Sequence, residues 1–569
     1  METKTYVIVG GVAGGAGVAA RIRRLDEYAT IIMYEKGPYV SFANCGLPYY
    51  AGGTIESRDA LFVAPASKLM NDFKIDVKQN TEVISIDREN KTIEAIDVIT
   101  KEKSTQSYDH LVLSPGSVPF VPPIKGIDNK RVLTVRNVPD IDKVVEVMKT
   151  STKAVVIGGG FIGIEMAENL KEKGLDVSLV EAAPQVMITL DREMVAPVHQ
   201  TLRDNGINLY LSQALQGIED NGKNVNVILP DAKIEDVDFV VLSIGVRPDS
   251  KLAQDAGIEV GPRGHIIVDE NCLTNDKNIS ALGDAIEYPA PNTEGNNAIA
   301  LAGPANKMAR LCADYIVKGS CRPYKGTYGN SIAKIFDLQA GSVGLNERAL
   351  ERAGLKYKSV ITHAGNHAGY YPGAQQLSVK VLYSPETGEI YGGQSVGYSD
   401  VAKKLDVLSS TINFGGTIED LAGFEQAYAP SFNSAKDILN MVGFIALNDF
   451  DGLDNVIDYK EALNRLENGA LLLDVRQKEE WDAGYYKDAM LIPHTELREH
   501  LDELPKDREI IVTCAIGLRG HIACRILAQH GFSNVSNLTG GWKTMGCYLS
   551  DIKLAKEFKL EEVKNANRA

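Results

Sequence analysis

Residues 41–48 (Ser-Phe-Ala-Asn-Cys-Gly-Leu-Pro) place one cysteine, Cys45, after a strand-like run and a Gly-Pro loop. The next cysteine in the chain is Cys272, so Cys45 has no neighbouring thiol with which to form a dithiol pair. A lone redox cysteine works through its thiolate and a mixed disulfide, persulfide or sulfenate. We expect Ser41 and Asn44 to cap a short helix whose N-terminus favours the thiolate. The alternative is a small buried side chain that only packs.

A second cysteine that could be reactive is Cys514. It lies between the apolar run Ile510–Thr513 and the residues Ala-Ile-Gly-Leu-Arg519. The pattern predicts a strand, a loop and then a helix. Such a loop can direct its amides at the sulfur, and Arg519 and the helix N-terminus add positive potential. This environment stabilises a thiolate and a bound persulfide. Cys524 and Cys547 are interpreted as packing residues.

The elements that position Cys45 begin with a glycine-rich turn near the N-terminus. The run Tyr-Val-Ile-Val leads into Gly10-Gly-Val12-Ala-Gly14-Gly15 and then a helix, and Glu35 ends the next strand, 25 residues after Gly10. This pattern is typical of a dinucleotide site, where glycines admit the pyrophosphate and the acid binds ribose hydroxyls. Val12 stands at the middle glycine position, which weakens the match.

The same pattern recurs 148 residues later as Gly158-Gly-Gly160-Phe-Ile-Gly163, and Glu181 follows 23 residues after Gly158. The glycine turn with its later acid is the sequence fingerprint of a dinucleotide site, and two such fingerprints imply two bound nucleotides. Glu181 would accept a hydrogen bond from a ribose 2′-hydroxyl and repel a 2′-phosphate, and no Arg stands beside it. The second site is therefore expected to prefer NADH to NADPH.

Composition narrows the class of protein. A chain of 569 residues, 44% hydrophobic and 24% charged, is expected to form three or four globular domains. A net charge of −15 argues against nucleic acid and anionic membranes as partners. With no apolar run of 18 residues, no signal-like segment and seven scattered cysteines, the chain is expected to be cytoplasmic with reduced thiols and no metal site.

Three loops continue the pattern around the fingerprints: Ser114-Pro-Gly116, Ser243-Ile-Gly245 and Leu-Gly283-Asp284. Together with the fingerprints they resemble the flavin-dependent pyridine nucleotide–disulfide reductase superfamily over roughly residues 1–445. The resemblance implies FAD at the first fingerprint, with Asp284 on the flavin's ribityl or phosphate portion and the helix after Leu301 facing its pyrimidine edge. The residues expected to bind FAD or NADH are Gly10, Val12, Ala13, Gly14, Gly15, Glu35, Lys36, Phe42, Ser114, Gly116, Gly283, Asp284, Ala302, Gly158, Gly160, Phe161, Ile162, Gly163, Glu181 and Gly245.

The single-cysteine motif resembles the coenzyme A-disulfide reductase and persulfide reductase branch. NADH peroxidases and oxidases of the superfamily carry a His in the first glycine loop, where this chain has Ala13. By resemblance, a coenzyme A pocket is implied at Arg21, Arg24, Ser41, Asn44, Asn306 and Lys436, whereas Arg23 is expected on a solvated face. The resemblance also implies that Tyr370 and Tyr428 reach the partner subunit's active site and assist a leaving sulfide or thiolate. Interface packing is the alternative for these tyrosines.

The last part of the chain resembles a rhodanese domain, through Leu471-Leu-Leu-Asp474-Val-Arg476, the Cys514–Arg519 loop and Gly541-Trp542. The predicted fold is α/β: two Rossmann-like domains, an α+β dimer-interface domain and an α/β rhodanese domain. The expected ranges are 1–116 with 272–330 (FAD), 117–271 (NADH), 331–445 (dimerisation), 446–460 (linker), 461–552 (rhodanese) and 553–569 (charged tail).

These features predict a homodimeric FAD enzyme that uses NADH to reduce small persulfides, polysulfides or coenzyme A persulfide at Cys45. The predicted catalytic residues are Cys45, Cys514, Tyr370, Tyr428 and Arg519. Coenzyme A-disulfide reduction is the nearest alternative. A rhodanese-type sulfurtransferase and an NADH oxidase are the further alternatives.

Overall fold

The computed structural model describes residues 3–291, 293 and 295–552, so the predicted tail 553–569 lies outside the described residues. The chain forms two compact units. Of the described residues, the first comprises those up to 184 and those from 206 to 329, and the second comprises 185–205 and those from 330 onward. Residues 185–205, expected within the NADH-binding domain, therefore group with the C-terminal half of the chain.

Two parallel five-stranded sheets dominate the first unit. The first has the order Ile279–Ala281, His110–Leu113, Thr5–Val9, Thr30–Tyr34 and Asp76–Lys78. The second has the order Asn208–Tyr210, Asp176–Val180, Lys153–Ile157, Phe239–Leu242 and Val132–Thr134. In each sheet a fingerprint strand is central, as the apolar runs predict for strands covered on both faces.

Smaller sheets and helices complete this unit. Two antiparallel sheets have three strands each: Thr81–Asp87, Thr92–Asp97 and Lys103–Ser107, and Gly217–Asp220, Val225–Ile228 and Lys233–Val237. Ser117–Pro119 pairs with Val246–Pro248, and Ile286–Pro289 lies between Ile266–Ile267 and Asn296–Asn297. The α-helices are Ala13–Leu25, Leu47–Gly52, Ala66–Phe73, Val138–Met148, Phe161–Glu172, Lys251–Asp255 and Ala302–Lys318, and 3₁₀ turns cover Asn44–Gly46, Arg58–Leu61 and Gly283–Ala285.

The first helix corrects one expectation. Arg23 is only 8% exposed, whereas a solvated face was predicted. Its guanidinium donates hydrogen bonds to five backbone carbonyls, among them those of Phe73 at 2.8 Å and Ala29 at 2.8 Å. Arg23 thus joins the helix to the start of the next strands, which helical periodicity alone does not reveal.

The second unit begins with an antiparallel sheet in the order Ser331–Ile335, Leu338–Gly344, Ile390–Gly397, Gln376–Tyr383 and Lys358–Gly365. The strands predicted near 331–336, 377–383 and 390–395 are confirmed, as is the helix predicted over 400–412, which spans Val401–Asn413. Helices Arg192–Asp204, Glu347–Ala353, Ile418–Gly423 and Ile438–Phe450 complete this part.

The C-terminal domain is a parallel sheet in the order Val456–Ile457, Val535–Leu538, Ile510–Thr513, Leu471–Asp474 and Met490–Leu491. Its helices are Tyr459–Glu467, Lys478–Asp482, Leu518–Gln529 and Gly541–Asp551, and 3₁₀ turns cover Leu497–Glu499 and Leu501–Glu503. The range 446–460, predicted as a linker, contains regular secondary structure. Residues 446–450 end a helix, and Val456–Ile457 is already the edge strand of this sheet.

A buried ionic cluster holds the second unit together. Lys380 is fully buried, and its Nζ lies 2.9 Å from Asp191 Oδ2 and 2.5 Å from Glu347 Oε1 and also pairs with Glu193. Three carboxylates raise the pKa of Lys380 well above its usual value against the cost of burial. Lys460 pairs with Glu347, so residues from four segments share one network. This network explains why residues 185–205 group with the second unit.

Among the described residues, no helix is long and apolar enough to cross a membrane.

Candidate functional site

The first glycine turn is shaped by close backbone contacts. Gly10 has φ +96°, and a Cβ at this position would lie 2.1 Å from the carbonyl oxygen of Ser114. A Cβ on Gly15 would lie 1.8 Å from the carbonyl oxygen of Gly10, so the helix Ala13–Leu25 starts directly against the strand end. The turn therefore needs glycine at both positions.

The second turn repeats this geometry. Gly158 has φ +107° and lies against the Ser243 carbonyl, and a Cβ on Gly163 would lie 1.8 Å from the Gly158 oxygen. The acids correspond as well. Glu35 accepts from the N–H groups of Gly11 and Gly37 at 2.9 and 2.8 Å, and Glu181 accepts from those of Gly159 and Ala183, both at 2.7 Å.

The middle glycine position of each turn shows whether the protein fold itself requires glycine there or whether the space is left for a ligand. A Cβ on Gly160 would meet no protein atom within 4 Å, so the protein itself does not require glycine there. An open position between a strand end and a helix N-terminus is the space that a pyrophosphate takes in this kind of turn. Val12 occupies the equivalent position of the first turn without a clash in the fold. The residues present therefore fit a dinucleotide at the second turn, and at the first turn with Val12 at its edge.

The other predicted nucleotide residues lie in the same unit. Ser114 and Gly283 border the first turn, because Ser114 Oγ would lie 2.5 Å from a Cβ on Gly14 and 3.6 Å from one on Gly283. Pairing of Ser117–Pro119 with Val246–Pro248 brings the turns at Gly116 and Gly245 together. Ala13, Phe161 and Ala302 are the first residues of their helices, and Ile162 is 42% exposed. Lys36 Nζ pairs with Asp249 at 2.6 Å, and Phe42 bridges Phe62.

Asp284 lines a cavity of about 620 Å³ together with Arg247, Arg263 and His265. Burial raises the pKa of Asp284, and Ser117 Oγ donates to its carboxylate at 3.4 Å. A buried acid with one weak donor fits a ligand hydroxyl, as in the flavin-binding role predicted for this residue.

Cys45 lies in the 3₁₀ turn Asn44–Gly46, directly before the helix Leu47–Gly52, and its side chain is exposed. The predicted caps are wrong, because neither helical segment has a side-chain cap, and Ser41 instead adopts φ +46°. The predicted thiolate preference is also corrected. The protein shields one side of this thiol from water, which raises the pKa of Cys45 most, and the charges of Glu165 and Asp284 raise it further.

The structure adds two residues near Cys45 that the sequence patterns did not single out. Tyr49 Oη donates to Glu165 Oε1 at 3.4 Å. Burial raises the pKa of Glu165 to about 7, although its hydrogen bond with Tyr49 lowers it. Glu165 follows the second glycine turn on the helix Phe161–Glu172, and its position after Gly163 was the available signal.

The residues predicted to bind coenzyme A are found in both units. Asn44 Oδ1 is buried without a hydrogen-bond partner among the described residues, so it can accept from a ligand. Arg24 is exposed, whereas Arg21 forms an ion pair with Asp314 at 2.7 Å. Asn306 Nδ2 donates to the Ala302 carbonyl at 2.9 Å. Lys436 is an exposed residue of the second unit.

The predicted tyrosines meet in the second unit. The hydroxyls of Tyr370 and Tyr428 lie 3.0 Å apart, and the two side chains are 76% and 49% exposed. Their hydrogen bond raises the pKa of Tyr370. Tyr371 instead packs edge-on against His367, with ring centroids 5.7 Å apart. The pair is therefore Tyr370 with Tyr428.

Cys514 lies at the end of the strand Ile510–Thr513 and is only 1% exposed. Its Sγ accepts from the N–H of Gly517 at 3.1 Å, and Gly517 has φ +112°. A Cβ on Gly520 would lie 3.8 Å from the sulfur, so the helix Leu518–Gln529 begins directly against it. The loop thus directs an amide at the sulfur, as predicted from the sequence.

Arg519, predicted to add positive potential at the loop, is paired with an acid. Its Nη1 and Nη2 donate to the two carboxylate oxygens of Glu480, each at 2.6 Å. Glu480 Oε2 also accepts from the Gln477 N–H at 3.0 Å, which completes a helix capping box. Sequence analysis missed Glu480. The Gln477–Glu480 spacing indicates a cap and gives no sign of the partner 39 residues away.

Two charged residues, the last residue of the strand Leu471–Asp474 and Arg476, support this arrangement. Arg476 and Asp474 are 3% and 1% exposed and form an ion pair at 2.7 Å. Arg476 Nη1 also donates to the Glu480 carbonyl at 3.1 Å, and Trp481 Nε1 donates to Asp474 at 2.7 Å. The short helix that carries Glu480 is therefore fixed to the sheet.

Three family models match the chain. The pyridine nucleotide-disulphide oxidoreductase model matches residues 4–309, the dimerisation domain of that family matches 331–437, and the rhodanese-like domain matches 458–545. These matches confirm the predicted fold class.

Similar proteins agree with this. A coenzyme A disulfide reductase of Staphylococcus aureus (strain JH9) is 34% identical over 442 residues, which is 77% of this chain and 99% of that protein. The reduced Bacillus anthracis CoADR-RHD structure has a TM-score of 0.94 and 44% identity, covering 97% of this chain and 99% of that one. A NAD-dependent persulfide reductase from A. fulgidus has a TM-score of 0.89 and 37% identity, covering 95% and 99%.

Proposed function

Because the chain belongs to the pyridine nucleotide-disulphide oxidoreductase family and carries its dimerisation domain and a rhodanese-like domain, we propose that it is an NADH-dependent reductase of persulfides. The proposed products are the parent thiol and hydrogen sulfide. Coenzyme A persulfide is the favoured small substrate. The single observation that carries the proposal is the coexistence of a lone exposed cysteine beside a nucleotide-binding unit with a second cysteine in a sulfur-binding loop.

Cys45 is the proposed nucleophile. Its thiolate attacks the outer sulfur of R–S–SH, the S–S bond of the substrate breaks, and the thiolate R–S⁻ leaves while Cys45 becomes a persulfide. FAD and NADH, when bound, supply the two electrons that return Cys45 to its thiol and release hydrogen sulfide. Asn44 Oδ1, a buried acceptor beside Cys45, is placed to orient the substrate thiol.

The phenols of Tyr370 and Tyr428 are the proposed proton donors to the departing sulfur. A pair of hydroxyls 3.0 Å apart keeps one O–H free to donate while the other oxygen accepts. Their exposure within one chain agrees with a role toward a second subunit, so the proposed working form is a homodimer.

A second function, coenzyme A-disulfide reduction, is favoured by the name of the S. aureus relative. It requires the same thiolate attack, with a mixed disulfide at Cys45 in place of a persulfide. NADH is proposed as the electron donor for both, because two backbone N–H groups hold the Glu181 carboxylate at the second turn, where it would repel a 2′-phosphate.

The test is anaerobic turnover of the FAD-loaded enzyme with NADH, with coenzyme A persulfide, coenzyme A disulfide and glutathione persulfide assayed in parallel. Sulfide release and thiol release identify which bond is cut. Cys45→Ser should keep bound flavin and its reduction by NADH and lose persulfide turnover by at least about 10³-fold, since the nucleophile is removed. Full sulfide release by this variant would contradict the proposal, and Cys524→Ser, a buried packing cysteine, is the matched control.

A further inference from the structure

Arg519 and Glu480 form a bidentate ion pair, called here the Arg519–Glu480 fork. This pair offsets the positive charge that the loop Cys514–Arg519 would otherwise present to a sulfur donor. Arg519 is the only basic residue between Cys514 and Gly520. Its two terminal nitrogens are both bound to one carboxylate in a bidentate geometry. Exposed ion pairs are usually weak, but bidentate Arg–carboxylate pairs are the stronger exception. Glu480 has a further anchor in the Gln477 N–H, so it does not leave Arg519 easily.

The other basic residues of the helix Leu518–Gln529 are engaged elsewhere. His521 Nδ1 lies 2.5 Å from Asp454 Oδ2, and Arg525 donates to the Leu453 carbonyl. The side chains that flank Gly517 are apolar, with Ile516 37% and Leu518 56% exposed. The approach to Cys514 thus combines a neutralised guanidinium with an apolar rim.

Sulfur donors differ in the charge that they bring to this approach. Thiosulfate carries a sulfonate directly on its sulfane sulfur, and a sulfonate needs cationic or amide donors to replace its water. In a persulfide of an organic thiol the sulfane sulfur is bonded instead to an uncharged divalent sulfur that bears carbon, which an apolar rim accommodates at no such cost.

We propose that Glu480 is a specificity-determining residue that, by holding Arg519, makes Cys514 accept sulfane sulfur from persulfides of organic thiols in preference to thiosulfate. The inference rests on the proposed sulfur-carrying function of Cys514. In the step, the Cys514 thiolate attacks the outer sulfur of R–S–SH, the donor's S–S bond breaks, R–S⁻ leaves, and Cys514 holds the persulfide. No electrons enter or leave.

The experiment uses the full-length FAD-loaded protein without NADH, with cyanide as sulfur acceptor and thiocyanate as the product measured. Thiosulfate and glutathione persulfide are the two donors. Wild-type protein should favour the persulfide in kcat/KM. Glu480→Gln should raise kcat/KM for thiosulfate about tenfold, chiefly through a lower KM, since one charge-assisted contact becomes available. Its persulfide kcat/KM should change less than about threefold.

Two further variants isolate the fork. Glu480→Asp keeps the charge and should retain the wild-type preference. Glu479→Gln removes the same charge from the adjacent exposed residue and should leave both rates unchanged. Glutamine also completes capping boxes, so Glu480→Gln should fold, and thermal unfolding checks this.

A wild-type protein faster with thiosulfate would overturn the proposal, as would an unchanged donor ratio in Glu480→Gln or an equal rise in Glu479→Gln. A wild-type protein that transfers sulfur from neither donor would overturn the carrier role and this inference together. The same rates are measured in the Cys45→Ser background, where sulfur transfer from Cys514 should be unchanged, so failure of the Cys45 reductase proposal and failure of this inference are distinguished.

Discussion

Cys45 and Cys514 are two sulfur sites built in opposite ways. Cys45 lies in an exposed turn before a six-residue helix, and partial desolvation, followed by the carboxylates of Glu165 and Asp284, raises its pKa. Cys514 is 1% exposed at the end of a central strand and accepts an amide hydrogen bond. One site is open to small molecules, and the other surrounds its sulfur with backbone.

The difference indicates a division of labour. An exposed thiol near acids reacts when a substrate or cofactor brings compensating positive charge or hydrogen bonds. A buried sulfur with an amide donor can hold a charged persulfide between encounters, because the donor replaces water. Tethering both in one chain raises their effective concentration toward each other into the ~mM range where the geometry permits contact.

The largest effect is expected from Cys514→Ser. Sulfur delivery from bulky or protein-bound persulfides should fall by at least about 10³-fold, because the proposed division of labour assigns these donors to Cys514 and that nucleophile is gone. Reduction of coenzyme A persulfide should remain nearly intact. NADH consumption and sulfide release measure both. Equal loss for the two donor classes would show that Cys514 lies on the main path and that the division is wrong.

A smaller effect is expected from Tyr428→Phe and Tyr370→Phe, which each remove only a hydroxyl from the 3.0 Å pair. If the pair donates a proton to the departing sulfur, as proposed, loss of one hydroxyl should lower persulfide turnover about 10²-fold. Transfer from Cys514 to cyanide should not change. Tyr371→Phe is the matched control, because Tyr371 packs on His367. Unchanged turnover in both variants would leave the tyrosines as packing residues.

The smallest effect concerns the acid beside Cys45. Glu165, with a pKa of about 7, is charged only above that pH, and its charge raises the pKa of Cys45. Glu165→Gln should therefore increase the thiolate fraction and speed alkylation of Cys45 by iodoacetamide about threefold above pH 7, with little change below it. The alkylation rate of each cysteine is read by peptide mass spectrometry.

Cys514 provides the internal control, since its alkylation should be slow and equal in both proteins. Slower alkylation of Cys45 in Glu165→Gln would contradict this prediction. It would show that Glu165 acts as a base that removes the proton from the thiol.

Much of the fold was predictable because its signals are local. The strands around both glycine turns lie within one or two residues of the predicted runs, since buried parallel strands require continuous apolar sequence. The caps at Ser41 and Asn44 failed, because the chain turns at Ser41 with positive φ before the helix starts. The predicted linker 446–460 includes the end of the helix Ile438–Phe450 and the strand Val456–Ile457, whose two residues are too few to show a period in the sequence.

The sequence by itself determined the two nucleotide turns, their acids and the two cysteines, because each depends on residues within a single strand–turn–helix unit. Only the tertiary structure decided which partners these groups meet. Glu480 reaches Arg519 across 39 residues, Tyr370 reaches Tyr428 across 58, and Glu193 reaches Lys380 across 187. Pairings at such separations leave no periodicity in the chain, since they arise from how strands and helices pack.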